Sequence, residues 1–179
     1  MWNPIESVLS IIPRNELMGF DYDLLKDLSI PDRTKEYLSQ VGLPISEILL
    51  CKFYFSRQII SLKQFISNKE MKCNLDTNLY RIGSDGGGEI CLSNSGNIFV
   101  VYISEDMSKR FVNTNIETFC GFLALYVKAC NEYSKLPDQD KRIKAIEFTD
   151  KLKGYDPKAF EDNQTWWSLI CEQMKYGLL

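Results

Sequence analysis

No histidine occurs anywhere in these 179 residues, and that absence removes much familiar chemistry at once. Ser-His-Asp and Cys-His nucleophilic machinery cannot be assembled, nor can a metal site with an imidazole ligand. The commonest general base near neutral pH is missing as well. Six cysteines are present, at positions 51, 73, 91, 120, 130 and 171, but none stands in CxxC spacing. All but Cys73 lie in or beside apolar runs, where a thiol behaves as a small hydrophobe, so a reduced, cytoplasmic protein is expected rather than a disulfide framework. No apolar run approaches the roughly 20 residues that a membrane helix needs. The first residues lack the basic stretch and small-residue cleavage site of a secretory signal. A dominant charge is lacking too: 21 Lys and Arg face 24 Asp and Glu, a net charge of −3. That argues against a nucleic-acid binder, which carries a basic face, and leaves room for an acidic patch that meets a basic partner. Repeats, low-complexity tracts and linkers are absent, and the 45% apolar content can fill one core, so residues 1–179 read as one domain.

What is present centres on residues 79–103. Three apolar runs, 79–82, 90–92 and 98–103, are separated by Ser-Asp-Gly-Gly-Gly-Glu and Ser-Asn-Ser-Gly-Asn. Such runs, bounded by Gly, Asn, Asp and Ser, read as a three-stranded meander. In the third run Ile98, Val100 and Tyr102 share one face and Phe99, Val101 and Ile103 the other, so this strand is expected to be covered on both sides.

Helices flank the meander. Ile5, Val8, Leu9 and Ile12 make one helical face that Pro13 stops. Residues 28–44 read as a short helix capped by Ser29, with Pro31 in its first turn, Tyr37, Leu38 and Val41 inside and Gly42 at the left-handed exit. Residues 48–55 read as a strand; 56–68 read either as a strand around Ile59 and Ile60 or as a helix ending at Asn68. A charged connection is expected over 104–110, and Phe111-Val112-Asn113 is expected to enter a long helix. Thr114 and Glu117 have the spacing of a capping box for it, and Phe119, Phe122, Leu123, Tyr126, Val127 and Cys130 form its apolar face. A charged helix with Ile143, Ile146 and Leu152 follows. The last helix carries Trp167, Ile170, Cys171 and Met174 and ends before Gly177. Of the adjacent Trp166 and Trp167, one is expected in the core and the other partly exposed. The fold class is α+β, with the meander in the middle of the domain and the long helix packed on it.

The chemistry is sparse. The Gly-rich connection at 83–89 lacks the Lys, Ser/Thr and following helix of a phosphate-binding loop. Asp85, Glu89, Glu105 and Asp106 lie on the meander connections. They could ligate a divalent cation or form an acid/base pair, but the reading adopted is a partner-facing acidic patch, with no catalytic residue, cofactor or metal.

The order of features resembles the fourth group of the SUKH superfamily, bacterial toxin-immunity proteins. The matching stretches are Leu38-Ser-Gln-Val-Gly-Leu-Pro, Tyr80-Arg-Ile-Gly-Ser-Asp and Ile90-Cys-Leu. They continue through the turn glycine Gly96, Phe111-Val112-Asn113-Thr114 with Phe119, and Asp156-Pro-Lys-Ala followed by Trp166 or Trp167. The likeness runs from about Leu28 to the end. It implies a SMI1/KNR4-like α+β fold, a central, mostly antiparallel sheet with helices packed around it, and a non-enzymatic cytoplasmic protein that binds and blocks a cognate toxin of nuclease or deaminase type. A regulatory adaptor of the same superfamily is the alternative, and a small metal-dependent enzyme a weaker one.

Overall fold

Short apolar runs between turn formers produce the meander as the sequence dictates. The structure, a computed structural model, describes residues 2–45, 54–68, 78–103 and 108–178. Its main sheet is antiparallel, with strand order β3-β4-β5-β6-β7, where β3 is Tyr54–Ser61, β4 Leu79–Ser84, β5 Glu89–Ser93, β6 Ile98–Tyr102 and β7 Ser108–Asn113. A second, two-stranded ladder joins β1 (Leu17–Met18) to β2 (Leu43–Pro44). Seven helices accompany them: α1 Pro4–Ile11, α2 Tyr22–Leu25, α3 Asp32–Gln40, α4 Leu62–Ser67, α5 Ile116–Tyr133, α6 Asp138–Tyr155 and α7 Trp166–Lys175, among the described residues.

Strand β6 is covered on both faces, as its two apolar stripes require. Ile98, Val100 and Tyr102 join the large core with α1, α3, α5 and α7. Phe99, Val101 and Ile103 join a smaller cluster roofed by Leu62, Phe65 and Ile66 of α4. Helix α5 is the central column, buried from Ile116 to Val127. Trp2 stacks on Tyr155 with ring centroids 4.1 Å apart and presses on Gly121, where an added Cβ would lie 2.8 Å from its ring.

Several local readings are corrected by the structure. Segment 56–68 is neither all strand nor all helix: β3 runs to Ser61, whose hydroxyl accepts the Gln64 N–H at 3.1 Å and starts α4. Ser29 does not cap the helix; Pro31, with φ −58° and ψ 141°, is itself the non-helical residue before it, so α3 begins only at Asp32. The Ser29 N–H donates instead to Tyr80 Oη at 3.0 Å. Residues 108–113 are strand rather than connection and helix entry, because Phe111 pairs with Phe99 and Lys109 with Val101 in the ladder. The capping box is displaced by one residue: Asn115 accepts the Thr118 N–H at 2.8 Å, while the buried Glu117 pairs with Arg33. Leu9, Ile143 and Ile146 point outward; of the apolar residues named for α6 only Leu152 enters the core, and Ala145 joins it there. Both tryptophans are buried, Trp166 at 6% and Trp167 at 0% exposure, so neither is an exposed platform. The reading of 48–53 as strand lies outside the described residues.

Candidate partner-binding surface

The β4–β5 connection is a closed knot of hydrogen bonds. Asp85 Oδ1 accepts the N–H groups of Gly87 and Gly88 at 3.0 and 2.7 Å. Ser84 Oγ donates to the Gly88 carbonyl at 2.8 Å. Gly88 has to be glycine for space: a Cβ there would stand 2.6 Å from Val100 Cγ1. The amides that a phosphate loop would offer to a ligand are thus turned onto Asp85, which agrees with reading this loop as a hairpin connection.

Asp85 reaches further. Its Oδ2 accepts the indole N–H of Trp166 at 3.0 Å, tying the loop to the first turn of α7. Tyr102 lies beside Gly87, and the Arg110 guanidinium sits 5.0 Å from its ring. Burial first, and then the Asp85 charge, push the Tyr102 hydroxyl above its ordinary pKa, while Arg110 pulls it back.

Glu89 takes the other direction. Its Oε2 binds Arg81 Nε at 2.6 Å, both side chains mostly covered, and Arg81 lies 4.4 Å above the Phe65 ring under α4. The two carboxylates therefore leave one hairpin toward opposite faces of the sheet. Glu105 and Asp106 lie outside the described residues; the flanking residues Tyr102 and Ser108, paired in the ladder, sit at the same end of the sheet as Ser84 and Glu89, also paired. Trp166, which holds Asp85, and Arg81, which holds Glu89, stand in stretches that the sequence analysis names, but not as partners of these carboxylates. Register could have brought Arg81 and Arg110 forward, but nothing local points to Trp166.

A second polar knot lies largely in the interior. Asp156 Oδ2 accepts from Asn113 Nδ2 and the Thr114 N–H at 3.0 Å each, and from Thr114 Oγ1 at 3.3 Å. Asn113 Oδ1 in turn accepts the Trp167 indole N–H at 2.8 Å. This relay locks the end of β7, the end of α6 and the start of α7 together.

Nucleophilic chemistry has little support at the three buried thiols Cys91, Cys120 and Cys171. Burial, aided by Glu89, pushes Cys91 up to about 12; burial likewise raises Cys120 to about 12 and Cys171 to about 11. Such thiols stay protonated at neutral pH and are poor nucleophiles. Among the described residues no cluster of three Cys, Asp or Glu is placed to hold a metal ion, and no helix is long and apolar enough to cross a membrane.

An α+β scaffold with a five-stranded antiparallel meander, braced by buried polar relays, is thus the class of protein in hand. Residues 14–173 match the SUKH-4 immunity protein family, and the chain belongs to that family. The match begins ahead of Leu28, where the likeness in the sequence sets in, and takes in β1 and α2. Membership supports a role as an immunity protein, with a toxin as the general kind of partner and without an enzymatic activity characteristic of the family. Comparison with curated proteins and with solved structures gives no significant match.

Proposed function

We propose that this protein neutralises a cognate nuclease- or deaminase-type toxin in the cytoplasm by covering its substrate cleft, without catalysing a reaction. The observation that carries the reading is the family match over residues 14–173. The proposed contact surface is the end of the sheet with Asp85, Glu89, Glu105 and Asp106. A toxin that handles nucleic acid presents a basic cleft, and a complementary acidic surface speeds encounter with it. Within that surface the contributions differ. Arg81 cancels most of the long-range field of Glu89, so steering falls mainly to Asp85, Glu105 and Asp106. Asp85 is held by three N–H donors, so it offers its charge with little further ordering cost.

The test is capture of the tagged protein from its own host, followed by co-expression with whatever co-purifies in stoichiometric amount. A partner whose toxicity disappears on co-expression is expected; recovery of no such partner would sink the reading. For the surface, Glu105→Lys with Asp106→Lys should slow association at low salt, about tenfold or more, with less effect on dissociation. An unchanged association rate would move the contact surface elsewhere.

A further inference from the structure

Beside the proposed acidic end, one stretch of β7 has the opposite character: Lys109 follows Ser108, and its ladder partner Val101 pairs in turn with Glu89. Phe99 and Phe111 face each other across the β6–β7 ladder with ring centroids 5.7 Å apart, edge to face. Lys109 Nζ lies 5.1 Å from the Phe99 ring, and Lys158 Nζ, on the turn after α6, lies 5.0 Å from the Phe111 ring. Cation, ring, ring and cation therefore form one continuous strip. Lys109 and Lys158 are exposed. Among the described residues neither is paired with a carboxylate, although the chain carries more acids than bases. Beyond Phe99 the strip opens into a shallow hollow of about 370 Å³, walled by Leu79, Ser93, Ser95 and Lys109.

We propose that this strip is a docking surface for an acidic segment of a protein partner. The aromatic faces hold the two ammonium groups in place, so pairing them with carboxylates loses little side-chain freedom. The rings accept the apolar residues between the acids, and the hollow takes one side chain at the end of the segment. A polyanion such as single-stranded nucleic acid fits less well. It is gripped by many phosphate contacts at once, whereas two lysines on a chain of net charge −3 match a peptide with two or three carboxylates. The inference rests on the partner-binding reading only in requiring that the partner be a protein, and the measurement below needs no toxin, so the two can fail separately.

The probe is a fluorescein-labelled peptide of about ten residues in which Asp alternates with Leu and Ala, followed by anisotropy at low ionic strength. Its Asn counterpart and an oligothymidylate of equal length serve as competitors. Saturable binding of the acidic peptide to the full chain is expected, weakened about tenfold in Lys109→Glu/Lys158→Glu, two exposed pairs being lost. Lys109→Gln/Lys158→Gln should give a smaller loss in the same direction, and both variants should melt like the parent. No binding, equal binding of the Asn peptide, equal binding by the charge-reversed variant, or tighter binding of the oligonucleotide through the same lysines would each overturn the proposal.

Discussion

Trp166 and Asp85, 81 positions apart in sequence, are joined by a single hydrogen bond of 3.0 Å from the indole N–H to Oδ2. That bond makes the acidic hairpin an extension of α7 rather than a loose loop, and it turns a surface carboxylate into a structural part. Asp85→Ala should therefore destabilise the protein, by about 1–3 kcal/mol, since three N–H groups lose their acceptor. In a chain of this length that is a fall in Tm of roughly 2–4 °C for each kcal/mol. Trp166→Phe combined with Asp85→Ala in a double-mutant cycle, read by urea denaturation, should give a coupling of about 1 kcal/mol. Strict additivity would show that the contact carries no energy.

Gly42 follows α3 with φ of +91°, and a Cβ there would stand 2.3 Å from the Met18 carbonyl oxygen. Gly42→Ala should cost on the order of 3 kcal/mol, combining a left-handed conformation with a collision against backbone that cannot move aside. Gly154, inside α6 with nothing within 4 Å of a built Cβ, is the control. Gly154→Ala should be neutral or stabilising by about 0.5–1 kcal/mol. Thermal melts of the two variants should move in opposite directions.

Asp156 is 3% exposed and accepts three hydrogen bonds. Asp156→Ala would leave the Asn113 amide and the Thr114 N–H without their carboxylate in the interior, a loss on the order of 3 kcal/mol. The expected signature is a lowered urea midpoint together with a blue-shifted or quenched Trp167 fluorescence change, because Asn113 also holds that indole. A parent-like midpoint would remove the relay from the account of stability.

The buried thiols set an alkaline limit. Cys91 and Cys120 move from 9.0 to about 12, and Cys171 to about 11, in the folded chain. Below pH 9 both states hold these protons, so stability does not depend on them. Above pH 9 the unfolded chain releases protons that the folded chain keeps, so unfolding gains about 1.4 kcal/mol per pH unit per thiol until the folded values are reached. Urea midpoints should be steady up to about pH 9 and fall steeply by pH 10, and Cys171→Ala should make the fall shallower. A midpoint unchanged at pH 10 would contradict the burial of all three.

Much of the scaffold was legible because it rests on local pattern. The two stripes of β6, the inward face of α5 and the exit of α3 at Gly42 each follow from residues within one or two turns of one another. Where the reading went astray, a distant partner decided. Thr114 has the right neighbour for a cap, but Asp156, 42 positions away, takes its N–H and hydroxyl, and Asn115 caps instead. Residues 108–113 show no alternation, their burial rising steadily from Ser108 to Asn113, and only pairing with partners such as Phe99 across the ladder makes them a strand. Of the four candidate acids, the place of Asp85 and Glu89 on one hairpin was readable from the meander, whereas the direction of their two carboxylates was not. Asp85 depends on Trp166 and Glu89 on Arg81, and no local spacing announces the first of these.

The residues by which this family can be recognised in the chain are largely those that no partner can touch. Gly42, Gly96, Asn113, Asp156, Trp166 and Trp167 are all buried, holding turns and relays inside the protein. The exposed faces of α2, α6 and β7 contribute nothing to those contacts. A chain built this way can change many of its exposed side chains without loosening the frame, and Asp85 is the point at which the frame and the proposed contact surface meet.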